Sequence, residues 1–74
     1  MKYDTGEEIH AGDVVVHSGK PARIVAVFDA GEYAPGFLRE HWQRYSHGFL
    51  VRDDSGEVFM YEDVDEDLEF VSRS

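Results

Sequence analysis

Hydrophobic and polar positions along this chain follow two different periods. From Gly12 to Phe28 the period is two: Val14 and Val16 share one face of an extended segment, and Val15 and His17 share the other. Beyond Ser18-Gly19-Lys20-Pro21, the residues Ile24, Ala26 and Phe28 alternate with Arg23, Val25 and Val27. This pattern predicts two strands folded back on one another across a Ser-Gly-Lys-Pro turn. Pro21 opens the second strand, where a missing N–H is tolerated. The uncharged sets Val14/Val16 and Ile24/Ala26/Phe28 are expected to face one core together with Leu68 and Phe70. The set that begins with Arg23 is expected to be half-buried.

Between Ala30 and His47 the period changes. Phe37, Leu38, His41, Trp42 and Tyr45 fall on one stripe of a helix, with Arg39, Glu40, Gln43 and Arg44 opposite. Two helical turns are marginal alone, so this helix is expected to cover something, and an open barrel end is the expected place. Period two then returns. Residues 48–52 and 57–61 read as strands around the turn Asp53-Asp54-Ser55-Gly56, and Leu68-Glu69-Phe70-Val71-Ser72 as a closing strand. The charged segment Glu62–Asp67 reads as a turn or one 3₁₀ turn, and Arg73-Ser74 as a frayed end. Upstream, Thr5-Gly6-Glu7 predicts a short N-terminal hairpin, and Ala11-Gly12-Asp13 a turn in which Asp13 serves as a turn or strand-end residue.

The resulting fold class is mainly β: one domain over residues 1–74, a small, partly open, SH3-like antiparallel barrel of about five strands with a short helical insertion at 31–47. Gly12-Asp13-Val14-x-Val16, the Gly-containing turn, the aliphatic strand after it and a helical turn before the last strand resemble KOW and other SH3-like barrels. Over nearly the whole chain, Gly12-Asp13, Gly31-Glu32-Tyr33, Trp42, Gly48-x-Leu50-Val51 and Asp65-Glu66-Asp67-Leu68 are similar to a family of small, acidic, uncharacterised bacterial proteins. The resemblance implies the barrel. By analogy of size and charge it points to immunity-like proteins that neutralise a toxin, and it transfers no functional residue.

Composition narrows the choice of function. Seventy-four residues are near the lower limit for a single core. With no cysteine, disulfides and thiolate zinc sites are excluded, so apolar packing must hold the chain, and 42% hydrophobic residues supply it. No apolar run reaches the ~20 residues of a membrane span, and a cysteine-free chain without a signal segment is expected in the cytoplasm. The formal charge is -9, from 16 acids against 7 bases. It is concentrated at the C-terminal end, where residues 52–74 hold nine acids against Arg52 and Arg73. Such a balance opposes nucleic-acid backbones and anionic membranes and suits a basic protein partner.

Catalytic and metal motifs are lacking. His10, His17, His41 and His47 offer no i, i+4 pair, and His41 lies on the apolar helical stripe, where a packed histidine is expected. The alternating acids from Asp63 resemble the start of a calcium loop, but the sixth and twelfth positions are Leu68 and Ser74 rather than Gly and Glu. The serines lack a GxSxG context, and no phosphate-cradling glycine motif occurs. The expectation is therefore a non-catalytic module with no cofactor and no metal.

Three roles are open to the aromatic cluster Tyr33, Phe37, Trp42 and Tyr45: core, partner surface, or, beside Glu32, a cage for a methylated lysine. The candidate partner-binding residues are Tyr33, Trp42 and Tyr45 as anchors and Asp63, Asp65 and Glu66 as steering charges. The alternative is a KOW-like nucleic-acid-binding module, for which seven scattered bases give little backbone attraction.

Overall fold

The computed structural model describes residues 2–64 and 68–73. Among them lie strands β1 (Asp13–His17), β2 (Lys20–Val27), β3 (Glu32–Tyr33), β4 (Phe49–Asp53), β5 (Val58–Tyr61) and β6 (Leu68–Arg73), and one short helix, α1 (Arg39–Trp42). They form one antiparallel sheet in the order β5-β4-β2-β1-β6, with β3 paired to β2. The sheet curls but does not close. Phe59 and Tyr61 of β5 reach His17 at the end of β1, with ring centroids at 4.7 and 5.5 Å, and the Tyr61 hydroxyl shares a hydrogen bond with His17 Nδ1. No helix among the described residues is long and apolar enough to cross a membrane.

The expected hairpin forms, with a tighter turn than the four residues Ser18–Pro21. His17 pairs with Lys20, leaving Ser18 and Gly19 as a two-residue loop with φ of 48° and 80°. Positive φ at both positions matches the right-handed twist of the flanking strands. Pro21 pairs with Val16 before the β4 pairing of β2 begins at Ala22, so its absent N–H leaves no ladder bond unmade. At the N-terminus, Lys2 bridges Glu8 around a turn in which the Gly6 N–H bonds the Tyr3 carbonyl. β6 runs to Arg73, one residue into the end expected to fray, and Ser74 lies outside the described residues.

Two apolar clusters replace the single core. The inner one holds Tyr3, Ile9, Val15, Ala22, Ile24, Val27, Phe49, Val51 and Leu68, with Phe70 packed against it. The other lies on the opposite face of the sheet and holds Val25, Ala26, Phe28 and Leu50. A β-bulge in β2 produces this division. Ile24 pairs with Val51 and Ala26 with Leu50, so Val25 is an extra residue against β4. The bulge reverses the alternation: Ala22 and Ile24 face inward before it, Val27 after it, and Val25, Ala26 and Phe28 join the outer cluster. Ile24, Ala26 and Phe28 are all buried, as expected, but they do not share one face. Val25 and Val27 are buried rather than half-buried.

In β1 the expected face is inverted. Val15 is fully buried, while Val14 and Val16 are half-buried on the outer side. Between the terminal Asp13 and His17 both faces of this strand are apolar, and His17 turns inward to meet the rings of Phe59 and Tyr61. A polar label alone therefore misassigns the face. Arg23 points outward, as expected.

Candidate functional site

The helical insertion does not plug a barrel end; it lies over the outer face of the sheet. Bonds from the Phe37 N–H to the Ala34 carbonyl, His41 to Leu38 and Tyr45 to Trp42 wind residues 34–45 into successive turns, of which only Arg39–Trp42 is α-helical. Leu38 precedes the helix without a side-chain cap, and Pro35-Gly36 lies just upstream. One helical turn has little stability of its own. The insertion is held instead by aromatic packing on Phe28, whose ring centroid lies 5.4 Å from Tyr45 and 6.3 Å from both Trp42 and Tyr33. Trp42 and Tyr45 also touch at 6.0 Å. His41, expected to be packed on the apolar stripe, is exposed, and so is Leu38.

Tyr33, Trp42 and Tyr45 are thus brought together, each half-buried. The cage arrangement is not built. Phe28 fills the centre of the cluster, and the Glu32 carboxylate is engaged elsewhere, accepting from the Ala11 N–H and from His10 Nδ1, both at 2.9 Å. Burial works to raise the Glu32 pKa, but those two donors outweigh it and hold the carboxyl below its ordinary value. Arg44 lies over the outer face of Tyr45, its guanidinium carbon 5.2 Å from the ring centroid.

The aromatic cluster continues through Ser46 into a histidine held between two carboxylates. His47 Nδ1 donates to Asp29 at 2.8 Å, and its Nε2 lies 3.7 Å from the exposed Asp63 carboxylate. The other Asp29 oxygen accepts the Gly48 N–H at 2.8 Å. The hydrogen bond to Asp29, then the charge of Asp29, then that of Asp63 raise the His47 pKa above its ordinary value. Burial works to raise the pKa of Asp29, but the Gly48 N–H and His47 prevail and lower it. Asp63, one of the candidate steering charges, therefore sits exposed beside His47. Asp65 and Glu66 lie outside the described residues, as does Asp67.

Sequence reasoning missed two features. The first is Asp13, which is fully buried and accepts hydrogen bonds from the Tyr3 hydroxyl at 2.6 Å and the His10 N–H at 2.9 Å. It is a structural anchor for the N-terminal segment as well as the first residue of β1. The second is a groove of about 580 Å³ on the outer sheet face, in which Arg23 and Arg52 lie beside Val14, Val25, Pro35 and Phe37. Its sequence signal was a lone arginine at an outward position in each of two apolar strands. No group of three or more metal-ligating side chains occurs among the described residues.

Mainly-β architecture, an open curled sheet and a half-buried aromatic face define the class to which this chain belongs by structure. A scan of protein-family models and searches of curated proteins and of solved structures returned no significant match.

Proposed function

We propose that this protein is a non-catalytic binding module, an open relative of the SH3-like barrels, that acts in the cytoplasm by binding a basic protein partner in an immunity-like or accessory role. The observation that carries this reading is the outer face itself. Tyr33, Trp42 and Tyr45 remain half-exposed after packing on Phe28, in a chain of formal charge -9. Aromatic anchors in an acidic field are what a cationic partner would need, because aromatics dominate contact energy while charge sets encounter rate.

Trp42 is the only tryptophan, so its emission reports directly on the proposed anchor. The test titrates the protein with a lysine- and leucine-rich peptide over a salt series, in parallel with the variant Asp63→Asn, Asp65→Asn, Glu66→Gln. The parent should respond with strong salt dependence. The variant should associate roughly tenfold more slowly at low salt, with an unchanged or higher melting temperature, since exposed like charges contribute ~1 kcal/mol or less each. A Trp42 signal that ignores both salt and the three substitutions would refute the reading.

The KOW-like alternative gains one observation, the outward-facing Arg23 and Arg52. Anisotropy titration of single- and double-stranded oligonucleotides at low salt separates the two. The expected result is no binding at micromolar concentration, roughly the range of non-specific binders.

A further inference from the structure

We propose that the outer groove is a binding site for the C-terminal carboxylate of a peptide chain, with Arg23 and Arg52 holding the carboxylate and the apolar floor holding the last side chain. The site is separate from the partner surface proposed above, since none of Tyr33, Trp42 or Tyr45 lines it.

The groove is built on one cross-sheet row. Val14 of β1 pairs with Arg23 of β2, and Arg23 pairs in turn with Arg52 of β4. Two arginines therefore stand directly opposite each other on adjacent strands, on the same face and both exposed. Like charges in that position repel. Sixteen acids are available in this chain to relieve the repulsion, yet neither arginine forms an ion pair with any described residue. Arg23 spends one bond of its fork, from Nη1 to the Gly12 carbonyl at 3.3 Å. Asp53 and Asp54 reach the groove rim, but Asp53 is turned to its own loop: one oxygen accepts the Ser55 hydroxyl and the N–H groups of Ser55 and Glu57. Its pKa is lowered chiefly by that hydroxyl.

Two guanidinium forks without a counter-ion among the described residues are suited to a carboxylate or phosphate, which each can grip through paired N–H donors. The chain's overall charge selects between them. A field of -9 repels polyphosphates and acidic segments. A single carboxylate on an otherwise uncharged chain meets the local arginine pair, with Asp53 engaged by its own loop and Asp54 at the rim, while charges farther off are screened over about 10 Å. The terminus of a peptide fits that description. Beside the arginines, Val14, Val25, Pro35 and Phe37 supply an apolar surface for the final side chain. The volume of about 580 Å³ accommodates such an end group with a few residues of backbone.

The test uses N-acetyl-Gly-Ser-Gly-Leu with a free carboxylate, and the same peptide as its carboxamide, followed by proton–nitrogen correlation NMR of the whole protein. The acid should shift the amide signals of Val14, Val25 and Phe37 and the side-chain N–H signals of Arg23 and Arg52. The amide should bind about tenfold more weakly or worse, as should Arg52→Gln with the acid, from loss of charge-assisted bonds. Arg52→Lys should bind with intermediate strength, keeping the charge but not the fork. The comparison of acid with amide is made on the unaltered protein, so it stands even if a variant is perturbed. Equal binding of acid and amide, undiminished binding by Arg52→Gln, or no shift at about 5 mM peptide would overturn the proposal. So would an oligonucleotide that displaces the acid from the arginine signals. The peptide carries no base, so failure here leaves the basic-partner reading standing. Asp63→Asn, which weakens that partner, should leave peptide binding unchanged.

Discussion

Replacing Gly48 with alanine tests the packing of the sheet at its tightest point. Gly48 lies immediately before β4 with φ of 103°, beyond the left-handed region that asparagine or aspartate tolerates. A side chain there costs about 1–3 kcal/mol in backbone strain alone. Space is also lacking. A Cβ would stand 2.4 Å from the Tyr61 carbonyl oxygen, where ordinary contact begins near 3.4 Å. Tyr61 cannot easily withdraw, because it pairs with Phe49 in the β4–β5 ladder and stacks on the Phe49 ring at 5.1 Å. Gly48 itself is fixed from both sides, its carbonyl accepting the Phe28 N–H and its own N–H donating to Asp29. Overpacking of this kind adds about 1–3 kcal/mol.

The expected loss is therefore about 2–6 kcal/mol, against a total stability of about 4–11 kcal/mol for a chain of this length. At roughly 4–8 °C per kcal/mol for a small domain, the melting temperature should fall by at least about 8 °C. Thermal and urea denaturation followed by circular dichroism would measure it. Gly56→Ala is the control: its φ is 91°, but the nearest atom to a new Cβ is the flexible end of Arg52 at 3.8 Å. It should lose about 1–3 kcal/mol, from conformation only, without the added steric cost. If both variants lose the same stability, the steric argument is wrong. If Gly48→Ala melts within a few degrees of the parent, the end of β5 does not lie over Gly48.

Two further predictions concern buried and exposed carboxylates. Asp13→Ala should cost about 3 kcal/mol and Tyr3→Phe about 1–2 kcal/mol, with the double variant losing less than the sum because the two share a buried hydrogen bond; additive losses in urea melts would show that they do not. For His47, the raised pKa means that its pairing with Asp29 stabilises the fold fully below the ordinary histidine value of 6.5 and is lost as pH rises through the higher folded value. The lowered Asp29 contributes above its ordinary 3.8 and is lost as pH falls through its depressed value. The melting advantage of the parent over His47→Gln should thus be largest between about pH 4 and 6.5 and vanish at high pH. An NMR midpoint for His47 at or below the ordinary value would contradict this.

Where period and turn chemistry agreed, the fold was legible in the residues. The β1–β2 hairpin, the β4–β5 hairpin around Asp53–Gly56 and the closing strand β6 all follow from alternation bounded by Gly, Asp and Ser. Three things escaped it. The β2 bulge is invisible because Val25, Ala26 and Val27 are all apolar, so no polar residue marks where the alternation slips. β3 is too short to carry a period, consisting of Glu32 and Tyr33 alone. Asp13 gave a turn signal that was correct for the backbone but silent on burial, since the partner that makes burial tolerable, Tyr3, is ten residues upstream. At the site, the aromatic grouping was legible as a stripe, but its support was not. Phe28 lies in a different element and reaches that face only because the bulge turns it there.

That bulge connects the fold to what it can bind. A six-stranded sheet of this size has enough apolar side chains for one well-filled core, and strict alternation along β2 would have sent Ile24, Ala26 and Phe28 to the same side. By inserting Val25, the chain keeps Ile24 and Val27 on the inner cluster and moves Ala26 and Phe28 outward. The outer face thereby gains an apolar floor on which a weak helical insertion can settle, although one helical turn could not hold four aromatic side chains in place by itself. The arrangement leaves Phe37 at the boundary, packed on the outer cluster and also lining the arginine groove. Both proposed contact regions therefore rest on the same irregularity in one strand. A substitution that straightened β2 would disturb both regions while leaving the hairpin β1–β2 intact, because the pairing of Val14–His17 with Lys20–Arg23 is complete before the bulge begins.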